Sequence, residues 1–182
     1  TNIPAEIPYL RADEHRLAQW RPAIDALPGK RVALAWAGHA AHANDRNQSM
    51  DLELLAPLFT IPGLSFVSIQ RELRDNDAAV LARTPNVRHL GAELADMADT
   101  AAVVTLADLV ISVDTSVAHL AGSLGRPLWV MLPFAPDWRW TLTGDVTPWY
   151  PQARLLRQPA IGDWTSVVAT LRDALAVFAG KT

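Results

Sequence analysis

The segment Asp114-Thr115-Ser116-Val117-Ala118-His119 carries the residue types best suited to holding an anion. Asp, Thr and Ser favour helix amino termini, where free backbone amides and the helix dipole attract phosphate. Hydroxyls on Thr115 and Ser116 add donors where a diphosphate would lie, and His119 stands one turn further in. Gly122 is expected to let this helix pack closely on a sheet. The competing reading is an ordinary capped helix with His119 hydrogen-bonded inside the fold.

A second group lies in Gly38 to Ser49 (GHAAHANDRNQS), a connection longer than most between a strand and a helix. Arg46 could pair bidentately with phosphate oxygens and stabilise a departing diphosphate. The plainer alternative is a solvated loop in which Asp45 and Arg46 pair with each other. His39, His42 and Asp45 are good ligand types, but their spacing matches no strong zinc pattern, and no metal is expected. The third group, Phe134 to Trp140 (FAPDWRW), sets Trp138, Arg139 and Trp140 close together. Either the tryptophans are apolar anchors, or a nucleobase or sugar stacks on a Trp ring or on the Arg139 plane. Trp149, Tyr150 and Trp164 read as packing residues.

Missing motifs narrow the chemistry. A single Gly follows the first apolar run, so the G-x-G-x-x-G of dinucleotide enzymes is absent, as are the P-loop pattern and the G-x-S-x-G elbow. No cofactor is expected. With no cysteine, disulfides, thiolate metal sites and cysteine nucleophiles are excluded. A net charge of −3 argues against a nonspecific grip on nucleic acid, so any anion site must be built locally. No apolar run reaches the roughly 18 residues of a membrane span, and no signal peptide is visible. A cytoplasmic, reducing setting fits these features.

The elements that position these groups follow from periodicity. Continuous apolar runs at 31–37, 64–70, 87–90, 108–113 and 128–132, with a shorter one at 154–157, read as strands buried on both faces. Helical patterns fall between them, at about 51–59, 76–83, 96–106 and 114–124, with others at 13–27 and 163–179. Strands alternating with helices predict an α/β, Rossmann-like, doubly wound parallel sheet. Such sheets bind ligands beyond the carboxyl ends of the strands, where strand order reverses. For a Rossmann-like order that point lies between the first and fourth strands, which brings 38–49 to face 114–116.

The runs AWAG, NDR, SIQ, ADTAA, DLVISVDTSVAHLAGSLGRP and LPFAPDWRW together resemble one family. It is the family 9, heptosyltransferase-like glycosyltransferase domain, in the form found behind tetratricopeptide repeats in bacterial proteins. The likeness runs from about Lys30 to Phe178. It implies the carboxyl-terminal, donor-binding domain of a GT-B enzyme, with residues 1–29 as tail and linker from an amino-terminal domain and 30–182 as the nucleotide-sugar domain. The implied reaction is inverting and metal-independent, with a nucleoside-diphosphate sugar as donor and a glycan or protein as acceptor. Asp114, Thr115, Ser116, Val117 and His119 would surround the donor diphosphate, Arg46 would balance the leaving group and Gln70 would lie near the nucleoside. Gly38, Asn44, Asp45, Asp137, Trp138 and Arg139 complete the expected substrate-binding set. The general base is expected from the amino-terminal domain. Ser116 stands where the family motif has Gly, and Arg46 where the best-known heptosyltransferases have Lys. A sugar-nucleotide epimerase of the same architecture and a non-catalytic binding or scaffolding module are the alternatives.

Overall fold

The apolar runs become six strands: β1 (Lys30–Ala35), β2 (Leu64–Ser68), β3 (Val87–His89), β4 (Leu109–Val113), β5 (Leu128–Leu132) and β6 (Ala153–Arg157). The computed structural model describes residues 6–41 and 44–180. All strands are parallel in the order β3-β2-β1-β4-β5-β6, with β1 flanked by β2 and β4. The reversal between β1 and β4 is therefore where the strand pattern puts it.

Alternate side chains enter two apolar layers, as the strand period of two requires. Ala33, Ala35, Val67, Val110 and Val130 face α1 (Glu14–Asp25), α5 (Met97–Leu106) and α6 (Ser116–Ser123). Val32, Leu34, Phe66, Ile111 and Met131 face α3 (Leu52–Leu55) and α7 (Trp164–Gly180). Two short helices complete the set, α2 (Asp45–Gln48) before α3 and α4 (Asp77–Ala82) after β2. The helical pattern at 51–59 does not form one helix. It breaks into α3 and a 3-10 turn, Ala56–Thr60, where Pro57 supplies no amide for a continuing α-helical ladder.

Residues 14–25 dock through a buried polar hub. Asp99, at the start of α5, accepts from Trp20 Nε1 at 2.9 Å, Ala95 N at 2.9 Å and Arg16 Nη1 at 3.0 Å. Burial opposes the charge on Asp99, but the Trp20 and Ala95 bonds and the nearby Arg16 outweigh it and hold the carboxyl below its usual range. Asp99→Ala is expected to destabilise the chain by about 2 kcal/mol, because the buried Trp20 indole and the partly buried Ala95 amide lose their acceptor. Chemical denaturation of the variant checks this.

Candidate functional site

The end of β1 is held by a side chain in place of a neighbouring strand. Gln70, buried beyond β2, accepts from Trp36 N and Ala37 N, both at 3.1 Å, and donates to Ala37 O and Glu72 O. Both amide atoms are thus engaged, and β1 stops at Ala35 although the apolar run continues to Ala37. Gly91 lies against this point, since a Cβ there would fall 1.8 Å from Gln70 O. Gln70 therefore fixes the exit of the loop that was expected to face the helix at 116.

That loop is cross-tied. Gly38 N donates to Ser49 Oγ at 2.9 Å, and Ser49 Oγ donates to Asp45 Oδ1 at 2.5 Å. Arg74 Nη2 meets Asp45 Oδ2 at 2.6 Å, so Asp45 is buried with Arg74 as its ion partner, not its neighbour Arg46. Trp36 Nε1 and Arg74 N both donate to Asp77, which joins the loop after β1 to the one after β2. Asn44, whose Oδ1 accepts from Asn47 Nδ2, starts the four-residue α2. His42, part of the weighed metal reading, lies outside the described residues. Among the described residues no cluster of three His, Asp or Glu could hold a metal ion.

At the other wall, Thr115 is the N-cap of α6 with extended backbone, φ −142° and ψ 174°, yet its side chain makes no capping bond. Its Oγ1 turns instead to Ser112 Oγ at 3.1 Å. Ala118 N and His119 N bond back to Thr115 O. Among the described residues, the amides of Ser116 and Val117 have no acceptor. Orphan donors at a helix start are the elements of an anion site.

Two adjoining cavities open here. The outer cleft, about 510 Å³, is lined by Gly38, His39, Asn44 and Gln48 on one side and by Asp114, Thr115, His119, Asp137 and Arg139 on the other. The inner one, about 280 Å³, runs between Gln70-Arg71-Glu72 and Thr115-Ser116-Val117. Gly38, His39 and Thr115 border both. Arg46 is not in either lining. It borders a third cavity with Phe134, Gln158 and Trp164, which shares Asn44 and Ala135 with the outer cleft. The arginine in the outer cleft is Arg139, paired with Asp137 at 2.8 Å.

The tryptophans separate. Trp140 is fully buried, whereas Trp138 is 64% exposed with the Arg139 guanidinium 4.8 Å above its ring. Trp140 is thus an apolar anchor, while Trp138 borders neither the outer cleft nor the inner cavity. His119 stacks on Trp140 with ring centroids 5.0 Å apart and bonds through Nδ1 to Tyr150 Oη at 3.0 Å. Its Nε2 is 3.8 Å from Asp114 Oδ1. Gly122 serves the Tyr150 ring rather than the sheet: a Cβ there would fall 2.4 Å from Tyr150 Cδ1. Tyr150, read from sequence as packing only, is thus a partner of the site, and Gly122 is the point where its ring approaches α6.

Burial holds His119 below the usual histidine range, against the pull of Asp114, and burial does the same for His89. The folded chain keeps these rings neutral while the unfolded chain takes up protons below about pH 6.5. Stability is therefore expected to fall as pH drops from about 7.5 to about 5.5, and His119→Gln should flatten part of that slope in denaturant titrations.

No family model matches the chain. It is 30% identical over 184 aligned residues to protein FlbA of Caulobacter vibrioides, an alignment spanning 98% of this chain and 30% of that protein. Among solved structures it superposes on the ADP-heptose LPS heptosyltransferase II of E. coli with a TM-score of 0.68 at 17% identity, all of this chain on 57% of that one. A family 9 glycosyl transferase from Veillonella parvula gives a TM-score of 0.67 at 13% identity, 93% of this chain on 53% of that one. The fold is that of a GT-B glycosyltransferase domain. The chain spans about half the length of these enzymes and less than a third of the curated relative. No helix among the described residues is long and apolar enough to cross a membrane.

Proposed function

We propose that the chain is the donor-holding half of an inverting, metal-independent glycosyltransferase, with the donor diphosphate against the start of α6. One observation carries the reading: α6 begins at the strand-order reversal with no side-chain cap and with two amides that find no acceptor among the described residues. The likeness in fold to enzymes named for ADP-heptose and for glycosyl transfer supports it. The nucleoside occupies the inner cavity beside Arg71 and Val117, and the sugar extends past Thr115 toward Asn44 and Arg139. Gln70 and Asp45 act indirectly, by holding the loop that forms the opposite wall.

In the reaction, an acceptor hydroxyl of a glycan or protein forms a bond to the anomeric carbon as the bond to the diphosphate oxygen breaks, with inversion. The Ser116 and Val117 amides, His119 and Arg139 offset the charge that develops on the leaving diphosphate. Arg46, at the adjoining cavity, supplies a second and weaker contribution. The acids of the outer cleft are Asp114, beside His119, and Asp137, paired with Arg139. The acceptor proton therefore passes to a base contributed by another domain, and the chain alone binds donor without transferring sugar.

Calorimetric titration with ADP, UDP and GDP, and then with their sugars, tests the reading. Binding of at least one nucleotide is expected, with Arg139→Ala weakening it more than Arg46→Ala. If none binds, the non-catalytic module is the better description.

A further inference from the structure

A neutral imidazole carries one proton, and the nitrogen that holds it decides whether the ring offers a donor or an acceptor. His119 is such a ring, half-buried, with Asp114, Arg139 and Asp137 as the charged groups around it. Its two nitrogens have different surroundings. Nδ1 points at the Tyr150 hydroxyl, 3.0 Å away, and Nε2 lies on the Asp114 side, 3.8 Å from a carboxylate oxygen.

We propose that Tyr150 is the positioning residue of the cleft, donating its hydroxyl proton to His119 Nδ1 so that the ring presents Nε2–H to an anionic ligand. Three observations carry this. A carboxylate only accepts, so Asp114 favours a proton on Nε2 and disfavours a lone pair there. The Tyr150 hydroxyl keeps its proton at every ordinary pH, since burial and the adjacent Tyr9 push it up to about 12. The phenol is also placed with little freedom. Its ring lies on Gly122, where a Cβ would fall 2.4 Å away, and packs 5.9 Å from Trp140, the same indole on which His119 stacks. Behind it, Ser123 Oγ bonds His119 O at 2.6 Å and lies 2.8 Å from Tyr9 Oη, so the backbone of His119 is anchored as well as its ring.

With the proton on Nδ1 instead, a lone pair would face both Asp114 and the bound anion. Tyr150 thus sets the sign of the ligand that the cleft accepts, through a residue it touches rather than through the ligand. The effect on anion binding rests on the donor-site reading, whereas the tautomer is a property of the free chain.

Long-range ¹H–¹⁵N correlation spectra of the histidine rings in the free chain, at a pH where His119 is neutral, read the tautomer directly. The expected result is His119 protonated on Nε2 in the parent chain and a mixture of the two neutral tautomers in Tyr150→Phe. Binding of ADP, UDP or GDP to Tyr150→Phe should weaken by about tenfold, the worth of one well-placed hydrogen bond. A parent ring protonated on Nδ1, or a tautomer unchanged in Tyr150→Phe, overturns the assignment. If the tautomers behave as expected and no nucleotide binds the parent chain, the assignment stands and the donor-site reading fails. Should Tyr150→Phe not fold, the parent spectrum alone decides.

Discussion

Ser116→Pro is expected to weaken nucleoside diphosphate binding by roughly tenfold to a hundredfold while leaving the fold intact. Ser116 is the first residue of α6, the helical position where proline is favoured because its amide lies outside the helical ladder. The residue before it must be extended, and Thr115 already is, at φ −142° and ψ 174°. Ser116 is exposed, so its hydroxyl contributes little packing. The substitution therefore removes one N–H and almost nothing else. A hydrogen bond to a charged acceptor contributes about 1.5–3 kcal/mol, which corresponds to the stated loss of affinity. Ser116→Ala, which keeps the amide, should bind nearly as well as the parent chain. An ordinary capped helix predicts no difference between the two variants, and calorimetry with a melting curve for each separates the cases.

Gln70→Leu is expected to destabilise the chain with no ligand present, by about 3 kcal/mol, or roughly 10 °C in melting temperature for a chain of this size. Trp36 N and Ala37 N would be left buried without an acceptor, and leucine cannot replace the bonds to Ala37 O and Glu72 O. Nucleotide affinity should fall too, because the loop from Gly38 loses its anchor. A residue that only touched the nucleoside would show the second effect without the first. Scanning calorimetry of the unliganded variant distinguishes them.

This residue also illustrates how far the sequence could be read. The strand order and the loops that meet at its reversal were legible, because runs such as RVALAWA and DLVISV lack alternation and so must be covered on both faces. Thr115, Ser116, Asp114 and His119 were legible as a cluster just past a buried strand, and each borders one of the two adjoining cavities. What periodicity cannot carry is the direction of a side chain. Gln70 follows a strand, as a ligand contact would, but its amide turns inward to the β1 backbone. Asp45 sits beside Arg46 in sequence yet pairs with Arg74 from a different loop, and Arg46 faces the adjoining cavity. Trp138 and Trp140 differ by two positions, yet one is 64% exposed and the other buried, which the 3-10 turn at Trp138–Trp140 decides. Tyr150 reaches His119 across a separation of 31 residues, and that distance hides it from any local motif.

The claim that the donor diphosphate sits on the start of α6 is tested most directly by amide chemical-shift mapping of the ¹⁵N-labelled chain during titration with ADP, UDP or GDP. The largest shifts are expected on Ser116 and Val117, with smaller ones at Gly38 and Arg71 on the facing wall. Shifts centred instead on the cavity of Arg46, Phe134 and Gln158, with Ser116 and Val117 unmoved, would contradict it.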